Sequence, residues 1–84
     1  MRATTVAFLL TDAHVSSCTL TSVGGRTIGR VTSQKPLLVD LPPGTHVLRA
    51  MWFFTESDVD IHVREVERQE IRLAVVAGEM RVVA

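Results

Sequence analysis

The stretch Asp58-Val59-Asp60-Ile61-His62-Val63-Arg64 sets an apolar β-branched residue at every second position, with charged or polar residues between. Successive side chains of a strand point to opposite faces, so a period of two describes a strand with one buried and one wet side. Ile71, Leu73 and Val75 repeat the pattern after a polar turn around Glu67 to Gln69, and Gly78 precedes a short strand from Met80 to Val83. Toward the N-terminus, His46 to Phe54 splits by parity into Leu48, Ala50, Trp52 and Phe54 on one side and Val47, Arg49, Met51 and Phe53 on the other. Both sides of that segment are largely apolar, and the first set is expected to face inward.

Further upstream, Val6, Phe8 and Leu10 alternate, as do Cys18 and Leu20, and Leu37, Val39 and Leu41 do so until Pro42-Pro43-Gly44 ends the run. Prolines remove ladder donors and glycine permits the turn. Gly24-Gly25, between Thr19 to Val23 and Thr27 to Val31, reads as the two-residue loop of a tight hairpin. Residues 65–76 fit period two better than a helical period, and no fixed repeat or low-complexity stretch appears. Seven or eight short strands separated by turns predict an all-β, single-domain antiparallel β-sandwich spanning residues 1–84.

Composition agrees. Thirteen valines, three isoleucines and nine threonines make 25 of 84 residues β-branched, which favours pleated surfaces. The length fits one domain, and 46% hydrophobic against 21% charged residues describes a chain that folds. Nine basic residues balance nine acidic ones, without the excess that holds proteins on phosphate backbones, so nucleic acid is not an expected partner. No apolar run approaches the roughly 18 to 20 residues of a membrane span. Arg2, the run Ala3 to Leu10 and Val15-Ser16-Ser17-Cys18 imitate a lipoprotein leader, but Asp12 and His14 interrupt its apolar region. The expectation is a chain without a leader, which favours the cytoplasm or a virion over secretion.

Residues that carry chemistry are sparse. Cys18 is the single cysteine, which excludes an internal disulfide framework. On one strand His14 and Cys18 would share a face, but the paired spacing of a structural zinc site is missing, and His46 and His62 lie far off. A thiol enzyme built on Cys18 with His14 or His46 lacks an orienting third group. Glu56, Asp58 and Asp60 read as a solvated strand face, since calcium needs about six to eight oxygens in a tight loop. Gly24-Gly25 has neither the Lys-Ser/Thr nor the helix of a phosphate cradle. The eight arginines are scattered among acids. No catalytic residue, cofactor or metal is expected.

The segments Leu20-Thr21-Ser22-Val23-Gly24-Gly25-Arg26-Thr27-Ile28-Gly29 and Leu38-Val39-Asp40-Leu41-Pro42-Pro43-Gly44-Thr45-His46-Val47-Leu48-Arg49-Ala50 carry a resemblance. They resemble the PEGA-type small β-sandwich modules, in which a strand leads into D-G-x-x-x-G and a later strand ends in P-G-x-H-x-L/V. The resemblance covers roughly Cys18 to Val76. Gly24 stands where the family has Asp or Asn, Arg68-Gln69 replaces a common turn glycine, and a signal sequence is missing. It implies a non-catalytic interaction or spacer unit of the kind found in cell-envelope proteins, contacting glycan or peptide; an exposed Trp52 in a shallow groove would favour that role.

The remaining signal is apolar residues on faces that should be wet. Leu9, Leu38, Met51, Phe53 and Val76 each oppose an inward-facing set and are the candidate interface residues. A small core also gives a chain of this size a motive to associate. The leading expectation is a non-enzymatic structural protein acting through protein–protein contacts, as a homo-oligomer or in a larger assembly, for which a capsid decoration subunit is one concrete form.

Overall fold

The computed structural model describes residues 3–22 and 24–83. Val23, read as the end of a strand, and Arg2, read as the start of a leader-like segment, lie outside them. Eight strands follow in order: β1 (Thr4–Leu10), β2 (Ser17–Ser22), β3 (Thr27–Thr32), β4 (Leu37–Leu41), β5 (Gly44–Trp52), β6 (Thr55–Val63), β7 (Arg68–Val76) and β8 (Glu79–Val83). They form two four-stranded sheets, ordered β4-β1-β7-β8 and β3-β2-β5-β6, packed face to face as a β-sandwich.

The hairpins β2–β3, β5–β6 and β7–β8 join sequence neighbours within a sheet; the other connections cross between sheets. Pairing is antiparallel throughout except between β1 and β7, which run parallel with Phe8 opposite Ile71 and Leu10 opposite Leu73. Turn chemistry reports only on strands it joins directly, and these two are brought together by the crossing of intervening chain.

The inward positions are those that alternation picks out. Val6, Phe8 and Leu10 of β1 meet Leu20, Leu48, Ala50, Val59, Ile61, Val63, Ile71 and Leu73 in one buried cluster. In the turn between β2 and β3, Ser22 N–H donates to the Arg26 carbonyl and Gly25 N–H to that of Ser22, with Gly25 at φ +88°. Glycine adopts this left-handed conformation without a Cβ clash. In β3 the register then slips at Ile28, which has no opposite residue on β2.

The segment read as a strand through Phe54 ends at Trp52, because Phe53 and Phe54 form the turn between β5 and β6. Phe54, expected inward with Leu48 and Trp52, is fully exposed instead. At the next crossing, where family resemblance anticipates glycine, Gln69 does the work: its Oε1 accepts from Arg64 N–H and its Nε2 donates to the His62 carbonyl, both at 2.8 Å. A side-chain amide bridging two backbone groups closes this turn without a left-handed residue.

Candidate functional site

Buried positions are even-numbered on β5 (Leu48, Ala50, Trp52) and odd-numbered on β6 (Val59, Ile61, Val63), so the chain must reverse between them. The register closes with Trp52 opposite Thr55, leaving a two-residue loop. Trp52 enters the core, and the next two aromatic rings are left outside: Phe53 is 81% exposed and Phe54 entirely so. Phe53 has φ +51°, an uncommon conformation for a bulky residue, since its Cβ crowds the following carbonyl.

The tip continues an apolar line. Met51 and Val47 are exposed on the outer face of β5, two and six residues before Phe53. Arg49 lies between them and pairs with Asp58 across the ladder at 3.4 Å, an exposed contact of modest energy. Of the residues expected at an interface, Met51 and Phe53 belong to this line. Leu9, Leu38 and Val76 lie on the outer face of the other sheet, with Leu38 and Val76 exposed and Leu9 half-buried. The expected set is therefore divided between two opposite surfaces. Phe54, Val47 and Val82 are exposed apolar residues outside that set. The parity switch between Trp52 and Val59 is the sequence signal that points to a turn at the two phenylalanines.

The residues considered for other chemistry lie apart. Cys18 is buried on the inner face of β2, and burial pushes its thiol up to about 11, so it is protonated at neutral pH. His14 is exposed in the loop before β2, and His46, whose Nε2 lies 2.8 Å from the Pro42 carbonyl, is at the far end of the β2–β5 pair from Cys18. Glu56, Asp58 and Asp60 occupy the outer face of β6, and Trp52, in the core, offers no exposed ring. Among the described residues, no three His, Cys, Asp or Glu side chains cluster as a metal site, and no helix is long and apolar enough to cross a membrane.

Asp12 has a role that its place in the sequence does not announce. Its Oδ1 accepts from His14 and Val15 N–H (2.7 and 3.0 Å), and its Oδ2 from Val75 N–H at 2.9 Å, tying the 11–16 loop to the end of β7. These amides, His14 first and then Val75, hold its carboxyl below the usual carboxylate range. Comparison of the chain with known protein families, with characterised proteins and with solved structures returns no match.

Proposed function

We propose that this β-sandwich is a non-enzymatic structural protein that works by protein–protein contact, with the Phe53–Phe54 tip and the adjoining Met51 and Val47 face as its contact surface in an oligomer of this chain. The observation that carries the reading is the pair of exposed phenylalanines on a two-residue turn, one at positive φ. A backbone cost retained at a residue whose side chain is mostly exposed points to a use outside the chain. Two aromatic side chains supply about 300–500 Å² per copy, less than a stable interface needs, and the β5 face beside them supplies the remainder. The resemblance to PEGA-type modules, carried by the turn sequences Gly24-Gly25 and Pro42-Pro43-Gly44, supports the same non-catalytic class. A decoration subunit of a larger shell is one form such an oligomer takes.

Light scattering after size exclusion, down to about micromolar concentration where weak contacts part, tests it. The expected result is a multimer that the double variant Phe53→Asn, Phe54→Ser converts to a folded single chain, judged by unchanged circular dichroism. A single chain at every concentration, or a multimer indifferent to both substitutions, overturns the proposal.

A further inference from the structure

The two sheets leave four edge strands, and three of them are guarded. β3 carries the register slip at Ile28, β4 is five residues long between Pro36 and Pro42-Pro43, and β8 is also five residues long. Bulges, prolines and short length are the devices by which sheets blunt their edges. β6 has none of them: it pairs with β5 without interruption from Thr55 to Val63 and contains neither glycine nor proline.

Its free side lies beside β8, the edge of the opposite sheet. Near the tip, Met80 N–H of β8 donates to Ser57 Oγ of β6 at 2.9 Å, which bolts the two edges together. Beside that bond a groove of about 310 Å³ runs between the two edges, lined by Asp58, Val59, Asp60, Met80, Arg81 and Val82 among others. Val82 has inward parity, opposite the buried Leu73, yet is 46% exposed. An apolar side chain on the core side of a strand, open to water at the seam, marks a place where the sandwich lacks a neighbour.

Backbone geometry is ready for one. In a two-residue hairpin the closing pair Trp52–Thr55 exchanges hydrogen bonds, so the odd-numbered residues of β6 bond to β5. The amides and carbonyls of Glu56, Asp58 and Asp60 and the amide of His62 therefore project from the free edge, while the His62 carbonyl is taken by Gln69 Nε2. Their side chains fill the outer face, where three carboxylates recur at alternate positions and Asp58 pairs with Arg49. Arg81 on the groove is engaged by Glu79 at 2.7 Å.

We propose that the free edge of β6 accepts an extended peptide as a fifth strand, one in which basic residues alternate with apolar ones. The basic side chains meet Glu56, Asp58 and Asp60 on the outer face, and the apolar ones cover Val82 in the seam. Strand addition takes affinity from main-chain bonds and specificity from alternate side chains. A second copy of β6 is disfavoured in the central registers, because antiparallel self-pairing centred on Asp58, Val59 or Asp60 sets carboxylate against carboxylate. This site is independent of the aromatic tip.

The test is a titration of the whole chain with two capped heptapeptides, lysine alternating with valine and glutamate alternating with valine, followed by amide NMR and hydrogen exchange. The lysine peptide is expected to bind and to slow exchange at Glu56, Asp58, Asp60 and His62, and the glutamate peptide not to bind. Asp60→Pro removes an outward N–H without touching the β5 ladder and should abolish binding. Asp60→Lys, which keeps the backbone donor should the proline variant unfold, should weaken the lysine peptide roughly fivefold. Equal binding of both peptides, lysine-peptide shifts away from β6, no binding at about 1 mM, or edge amides already protected in a self-associated chain would overturn the proposal.

Discussion

Two hairpin turns sit at the same end of the sandwich and are built from opposite materials. The β7–β8 turn is Ala77-Gly78, with φ +54° and +80°, the signs of a type I′ turn, made of a small residue and the one residue free of Cβ strain. The β5–β6 turn has the same length but is Phe53-Phe54, with positive φ at the first position where a type II′ turn favours glycine. The bolt between Ser57 and Met80 joins residues three and two positions beyond their respective turns, so the tips share surroundings. The difference teaches that folding alone does not choose the residues of the aromatic tip: the same job is done next to it by alanine and glycine.

The largest contrast in stability is expected within the aromatic run itself. Trp52→Ala removes a core side chain and is expected to cost about 3–5 kcal/mol, on the order of the whole stability of a domain this small. Phe54→Ala, two residues on, is expected to change stability by less than about 0.5 kcal/mol. Urea unfolding of the two variants measures both, and a large loss for Phe54→Ala would move that ring into the fold.

A smaller effect of opposite sign should separate the two turns. Gly78→Ala forces a Cβ into the left-handed region and should lower stability by about 0.5–1 kcal/mol, once the stiffer unfolded chain is allowed for. Phe53→Gly should raise it by a similar amount, or about 3–8 °C in Tm, while dissolving the multimer. A stabilised variant that stays assembled would show that the strain at Phe53 serves no contact.

The smallest effect concerns the anchor beside the β7–β8 turn. Asp12 binds three amides as a carboxylate, so its folded-state pKa lies below the ordinary 3.8. Its contribution is present above the unfolded value and is lost as pH falls through the lower, folded one. Thermal melts of the parent and Asp12→Asn should therefore differ at neutral pH and converge in acid, with faster exchange of the Val75 amide in the variant. Parallel curves at all pH would remove the charge from the explanation.

The strands and their inward faces were legible because alternation is a local property. Val59, Ile61, Val63, Ile71 and Leu73 announce their own direction, and the structure buries each of them. The aromatic turn was harder to read because Phe53-Phe54 has no glycine, asparagine or proline to mark it; the reversal shows only in the parity of residues on either side. Asp12 looked like an interruption of an apolar run, since its partner Val75 is 63 positions away. Leu9, Leu38 and Val76 were grouped with Met51 and Phe53 by their outward parity, which holds within each strand and says nothing about which sheet the strand joins.

Local sequence thus determined the class of this protein: an all-β chain, its strand segments and the side of each that seeks the core, because a period of two and short-range turn chemistry act between near neighbours. Tertiary structure alone decided the parallel meeting of β1 and β7, the split of apolar surface between two faces and the opening of the seam at Val82. Those depend on which strands become neighbours, and that is settled by packing the whole core at once.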